Sequence, residues 1–186
     1  MVPLVDLWLP ILVSAVAVFI VSSVVHMALP IHKGDMKKLP GEDTLLAAMR
    51  AQKLVPGSYM FPCAASMKEM GTPEMLAKMA QGPIGNMNVI ASMSIGRSLA
   101  QWFVLSIFVS ACAAYVAGMV LGPGADAQTI FRITSTAALL GYGLSHLQDS
   151  IWKGVGWGIS LKFVFDGVLY ALATGAVFAW MWPAGA

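Results

Sequence analysis

Four long apolar stretches, separated by more polar segments, dominate the pattern of the chain. A helix needs about 20 mostly apolar residues to cross the hydrocarbon core of a bilayer. The stretches that meet this requirement lie at about residues 7–27, 98–121, 129–147 and 159–182. The pattern predicts an all-α integral membrane protein, a single domain over residues 1–186 with four transmembrane helices in a bundle and a long loop between helices 1 and 2.

The tryptophans support these boundaries independently, because they were not used to place them. Tryptophan is enriched where a membrane helix leaves the hydrocarbon core, since its ring is apolar and its N–H is polar. All six lie near a predicted helix end: Trp8, Trp102, Trp152, Trp157, Trp180 and Trp182.

The loop over residues 28–97 carries the signals of two short helices. Acidic residues within 41–44 and the basic Arg50 and Lys53 lie at the two ends of the first, where the helix dipole favours them. A threonine, a proline and a glutamate at 72–74 begin the second, and Gly-Pro at 82–83 ends it. The loop is therefore expected to be ordered and partly helical, with a stiff aromatic segment at 56–63 between its helices.

Composition places the chain outside the soluble and disordered classes. Hydrophobic residues make up 58% and charged residues 11%, whereas a soluble domain carries about 25% charged residues. The net charge of +2 and the lack of a basic stripe argue against a nucleic-acid partner. Cys63 and Cys112 stand in different surroundings and do not form a disulfide framework.

The distribution of lysine and arginine predicts the orientation. The loop at 28–97 holds eight of the eleven, and Lys153 and Lys162 flank the connection between the third and fourth spans. With four spans, these ten charges share one face and Arg132 lies near the other. The positive-inside rule makes that face cytoplasmic, which puts both termini outside a membrane that we expect to be a bacterial-type plasma membrane.

Methionine is concentrated in the loop, which holds nine of the thirteen. Thioethers beside Cys63 are soft ligands of the kind that binds Cu(I). They also form adaptable apolar surfaces that pack against lipid or a protein partner. We favour the second interpretation, because copper-binding methionine clusters are more expected on the outer face. The loop methionines are Met36, Met49, Met60, Met67, Met70, Met75, Met79, Met87 and Met93.

Small residues recur at every fourth position on the second and fourth spans. This spacing lets helix backbones approach closely, which is how helices associate inside a membrane. The pattern predicts packing faces, within the chain or between chains, formed by Ser106, Ser110, Ala114 and Gly118 and by Gly167, Ala171, Gly175 and Ala179.

Ionisable and polar residues also fall within or next to the spans, where their cost makes them informative. They lie toward the predicted cytoplasmic ends, so they are expected to converge into one polar layer. The predicted layer comprises Arg97, Gln101, His146, Asp149, Lys162, Asp166 and Tyr170.

The same region supplies a candidate metal site. Two histidines and two aspartates suit zinc or a similar metal, and the proposed ligands are His26, His146, Asp149 and Asp166. His32 and Asp35, just after the first span, would extend this site. Two other interpretations remain open: a relay of protons or a path for a solute, or a purely structural layer in which Lys162 and Arg97 neutralise the aspartates.

Three functions are compatible with this sequence. Motifs of serine hydrolases, zinc proteases and phosphate-binding loops are absent, and no motif names a cofactor. The leading hypothesis is a non-enzymatic structural or accessory subunit that binds other membrane subunits or copies of itself through small-residue faces and the Met-rich loop. The alternatives are a transporter of an ion, a proton or a small solute through the layer around Asp166 and His146, and a metal-dependent membrane enzyme using that layer.

Overall fold

The computed structural model describes residues 1–185, which fall into two compact units. The helical unit contains residues 1–35, 94–151 and 155 onward, and the loop unit contains residues 36–93 and 152–154. The sequence predicts one domain, and the division follows the boundary between the apolar spans and the long loop. The elements in chain order are α1 (Trp8–Ser23), α2 (Glu42–Ala51), β1 (Gly57–Phe61), α3 (Met67–Met70), α4 (Pro73–Gln81), β2 (Gly85–Val89), α5 (Ile95–Val120), α6 (Ala127–Tyr142), α7 (Leu147–Lys153) and α8 (Trp157–Met181).

Among the described residues, three helices are long and apolar enough to cross a membrane. They are Leu4–Ala28, which contains α1 and the turns at its two ends, Ile95–Val120 and Trp157–Met181. These helices support a mostly helical membrane protein. Large apolar side chains remain exposed along all three, as expected for surfaces that face lipid.

The third predicted span differs from the expectation. Residues 129–147 do not form one continuous helix: α6 ends at Tyr142, and a 3₁₀ turn over Leu144–His146 leads into α7. The 16 residues of α6 give a length of about 24 Å at 1.5 Å per residue, which is shorter than the hydrocarbon core of about 30 Å. Glycine at 143, directly after α6, lacks the side chain that favours continuation of a helix.

The long helices of the helical unit pack in a closed order: α1 against α5, α5 against α6, α6 against α8, and α8 against α1. Two buried clusters hold them together. One comprises Val2, Leu7, Ile11, Ala114, Ile130 and Phe178, and the other Val18, Val109, Ala138, Tyr142, Tyr170 and Ala171.

Hydroxyl groups inside this unit are satisfied mainly by their own helices. Ser106 Oγ donates to the Trp102 carbonyl oxygen at 2.9 Å, and Thr174 Oγ1 donates to the Tyr170 carbonyl oxygen at 2.9 Å. This bond to the preceding turn lets a hydroxyl side chain be buried without a partner on another helix.

The loop unit contains a two-stranded antiparallel sheet that the sequence analysis did not predict. Strands β1 and β2 are antiparallel, with Gly57 opposite Val89 and Phe61 opposite Gly85. The aromatic segment at 56–63 was expected to be a loop, because its pairing partner lies more than twenty residues further along. Helices α2 and α4 occupy the two positions with helix signals, and Thr72 Oγ1 accepts a hydrogen bond from the Met75 amide at the start of α4.

Candidate metal centre

The end of the first helix positions the first histidine of the site. After α1, residues Val24–Ala28 form a π-helical turn, closed by a hydrogen bond of 3.1 Å from the Leu29 amide to the Val24 carbonyl oxygen. This turn contains His26, whose side chain is 39% exposed. Single π turns inside helices are frequent at functional sites, because they displace side chains from the regular helical positions.

A tight turn directly after this helix positions the second histidine. Pro30–His32 forms a 3₁₀ turn, and the Asp35 amide donates to the His32 carbonyl oxygen at 3.2 Å. The chain therefore folds back so that Asp35 Oδ2 lies 2.8 Å from His32 Nδ1. A carboxylate at this nitrogen fixes the orientation of the ring and leaves the other nitrogen, Nε2, directed toward α8.

Asp166 on α8 is the centre of the cluster. Its side chain is 1% exposed, and its Oδ2 lies 2.8 Å from His32 Nε2 and 3.5 Å from His26 Nε2. Its other oxygen, Oδ1, is buried and has no hydrogen-bond partner among the described residues. A buried carboxylate oxygen without a partner carries a large desolvation cost, so this atom points to a ligand.

Lys162, one helical turn before Asp166, forms with Asp35 a second layer of residues behind His32. Its Nζ donates to Asp35 Oδ1 at 2.5 Å, so Asp35 is held between a lysine and a histidine. The hydrogen bond from Lys162, followed by the one from His32, holds the pKa of the Asp35 carboxyl below its usual value. Asp35 therefore remains an anion behind His32 at neutral pH.

Aromatic packing restrains the two histidine rings. The His26 and His32 rings stack with their centroids 4.4 Å apart and an interplanar angle of 27°. The Phe163 ring packs against the His32 ring and against the His146 ring, at centroid distances of 4.9 Å and 5.0 Å. The imidazoles therefore have few alternative orientations available.

The potential ligand atoms of the cluster lie close enough together to bind one metal ion. One ligand atom from each of His26, His32 and Asp166 lies within 4.8 Å of the others. Tetrahedral Zn²⁺ with bonds of about 2.1 Å separates its ligand atoms by about 3.4 Å. The 3.5 Å between His26 Nε2 and Asp166 Oδ2 matches this separation, whereas the 2.8 Å between His32 Nε2 and Asp166 Oδ2 is a hydrogen-bond distance. Asp35 behind His32 supplies the carboxylate partner that metal-binding histidines usually have.

The structure brings together some of the predicted site residues and leaves others apart. Of the predicted ligands and layer residues, His26, Lys162 and Asp166 lie in one cluster, which also contains His32 and Asp35. His146 Nδ1 instead lies 4.0 Å from Asp149 Oδ2, outside the triad. The predicted layer residues elsewhere are Arg97 and Gln101, which are exposed, and Tyr170, which is buried against Trp102 and Tyr142.

The predicted small-residue faces lie largely inside the helical unit. Buried positions include Ser106, Ser110, Ala114 and Gly118 on α5 and Gly167, Ala171 and Gly175 on α8, whereas Ala179 is half-buried. Gly167 contacts the backbone at Gly143, and Gly175 contacts Phe131 and Ser135 of α6. These faces therefore serve helix packing within this chain.

The signal that makes His32 a candidate ligand was present in the sequence. The spacing of His32 and Asp35 matched a histidine with a supporting carboxylate, but nothing local distinguished it from the pair at 146 and 149. Comparison with models of known protein families, with curated proteins and with solved structures finds no match to this chain. The function is therefore inferred from the geometry of the site.

Proposed function

We propose that this chain is a multi-pass membrane protein with four transmembrane helices that binds one divalent transition-metal ion, Zn²⁺ or Fe²⁺, at His26, His32 and Asp166. The observation that carries the proposal is the buried Oδ1 of Asp166, which has no hydrogen-bond partner among the described residues. Nitrogen atoms of two imidazoles, those of His26 and His32, lie next to Oδ2 of the same carboxylate. Two imidazoles and one carboxylate form a donor set used by zinc enzymes and by non-haem iron sites.

A metal explains this cluster better than an ion pair alone. Asp166 is almost completely buried, and a buried charge is costly unless its partners satisfy it fully. His32 satisfies one oxygen, whereas the second oxygen finds no donor among residues 1–185. A divalent cation at this point neutralises the carboxylate and replaces the missing donor.

The site has the features of a reactive metal centre more than of a closed structural one. Structural zinc sites have four protein ligands, whereas catalytic sites have three and leave one position for water or substrate. The triad supplies three, and a surface depression lined by residues 26–30, 32 and 33 opens beside His26. An open coordination position favours metal-dependent chemistry or metal exchange at this end of the helical unit.

Metal analysis tests the proposal directly. We expect the full chain, purified in a mild detergent without chelators, to contain about one zinc or iron ion per chain by elemental mass spectrometry. After stripping with EDTA, titration of Zn²⁺, or of Fe²⁺ without oxygen, should restore one site. His32→Ala and Asp166→Asn should each weaken binding by at least about 100-fold.

His146→Ala is the matched control, since His146 also packs on Phe163 but lies outside the triad. It should bind metal with an affinity within about twofold of the unchanged chain. A stripped wild-type chain that binds neither Zn²⁺ nor Fe²⁺, or an equal loss in His146→Ala and His32→Ala, would contradict the proposal.

The two other hypotheses have less support from the geometry. Transport through a polar layer is weakened by the exposure of Arg97 and Gln101, which do not join the cluster. Assembly as an accessory subunit draws less from the small-residue faces, because the chain itself occupies most of them. The exposed surface of the Met-rich loop remains available for an interaction.

A further inference from the structure

The loop unit has almost no interior of its own. Of residues 36–93, all of which the structure describes, only Pro62 and Met75 are buried. A unit of this size gains too little from burial to order its chain unless a second surface covers its apolar side chains. The exposed apolar side chains include Leu45, Leu46, Val55, Leu76, Ile84 and Ile90, of which Val55 is 64% and Ile84 61% exposed.

These side chains belong to amphipathic elements. On α2, Leu45 and Met49 lie on one side of the helix, and Asp43 and Arg50 lie on the other. The whole of α2 has no buried residue. Its apolar side is therefore presented outward, as in helices that lie in the plane of a membrane interface.

Helix α4 has the same division. Met75, Leu76 and Met79 share one side, opposite Glu74 and Lys78. Leu76 on the apolar side is 54% exposed. Both α2 and α4, the two longer helices of this unit, thus have an apolar side that is incompletely covered.

Chain connectivity points to the bilayer as the surface that covers these apolar side chains. Residues 29–35 lead to the unit from the helix Leu4–Ala28, and only residues 90–94 separate β2 from the helix Ile95–Val120. Five residues span at most about 18 Å. The unit is therefore tethered at both ends to helices apolar enough to cross a membrane, and it stays within reach of the bilayer surface.

Charge favours anionic headgroups. The loop unit contains seven lysines and arginines against four aspartates and glutamates. Basic residues next to apolar side chains bind the surface of membranes that contain anionic lipids. We propose that the loop unit lies on the bilayer surface, with the apolar sides of α2 and α4 inserted below the headgroups of an anionic membrane.

Spin-label accessibility in the full chain tests this inference, which is independent of the metal site. Cys63→Ser and Cys112→Ala give a background without the two exposed thiols. Single labels are then placed at Leu45 and Leu76, with matched controls at Ala47 and Glu74 on the opposite sides of the same helices. The protein is reconstituted in nanodiscs of phosphatidylcholine and phosphatidylglycerol.

We expect labels at Leu45 and Leu76 to be more accessible to oxygen than to a water-soluble nickel chelate, at a depth of about 5–10 Å. The labels at Ala47 and Glu74 should show the opposite preference. Equal access of nickel to all four labels would mean that the unit is free in water and would overturn the inference. Protection of Leu45 and Leu76 from both reagents would mean a protein partner, and would also overturn it.

Discussion

At the scale of single residues, His32 links the two layers of the candidate centre. One ring nitrogen faces Asp166, and the other faces Asp35, which Lys162 holds in turn. The orientation of a ligand ring depends on such outer partners, and their loss commonly costs 10–100-fold in metal affinity.

We therefore expect Asp35→Asn to weaken Zn²⁺ binding by about 10–100-fold without abolishing it. The amide keeps the shape of the side chain but loses the negative charge that supports His32. Isothermal titration of the stripped protein measures the change. Asp43→Asn, an exposed carboxylate of α2, is the control and should have no effect; an equal effect of both substitutions would contradict a role of Asp35 behind His32.

The individual residues of the site could be predicted more readily than their grouping. Asp166 and His26 stand out because ionisable side chains are rare in apolar helices. Their partner His32 is separated from Asp166 by 134 positions, and no local pattern connects them. His146 and Asp149 have the same spacing as His32 and Asp35, so only the packing of α8 against the end of the first helix selects one pair.

At the scale of elements, the close approach of α6 and α8 depends on glycine. A Cβ at Gly167 would lie 2.8 Å from the Gly143 amide nitrogen and 3.0 Å from the Tyr142 carbonyl carbon. These are backbone atoms, which cannot move aside as the end of a flexible side chain can.

Gly167→Ala should consequently destabilise the helical unit by about 1–3 kcal/mol. Thermal unfolding in detergent, followed by circular dichroism, measures the loss. Gly158→Ala is a control on the same helix, because no atom lies within 4 Å of its added Cβ. It should leave the unfolding temperature unchanged or raise it slightly; a matching decrease in both variants would show that packing at Gly143 is not the cause.

The elements themselves were predictable to different degrees. The three longest helices follow from the length of their apolar runs, and the glycine spacing indicates close packing without identifying the partner helix. The sheet of β1 and β2 was not predicted, because strand pairing across a long connection leaves no signal in the sequence of either strand. The end of α6 at Tyr142 was not predicted, because the apolar run continues past this residue, whereas the helix ends at Gly143 and a 3₁₀ turn follows.

At the scale of the whole molecule, the number of crossings decides on which side each connection lies. Three helices have the length for a crossing, and our proposal adds α6 with the residues that follow it as a fourth. With four crossings, ten of the eleven basic residues share one face, which the positive-inside rule predicts to be cytoplasmic.

Cysteine labelling with a membrane-impermeant maleimide should show this arrangement in intact cells. In a background with Cys112→Ala, we expect native Cys63 to react only after permeabilisation. With Cys63→Ser added, Gly156→Cys should also react only after permeabilisation, whereas Ala127→Cys should react in intact cells. Reaction of both Ala127→Cys and Gly156→Cys in intact cells would mean that residues 127–153 do not cross the bilayer.

The origin of the cluster from both ends of the helical unit has a consequence for biogenesis. His26 and His32 belong to the first segment that leaves the ribosome, and Asp166 belongs to the last helix. During synthesis the two histidines are therefore present long before their carboxylate partner is inserted. Under the proposal that all three bind one ion, this ion is acquired only after the last helix is in place, and metal loading is then a late step in the maturation of the protein.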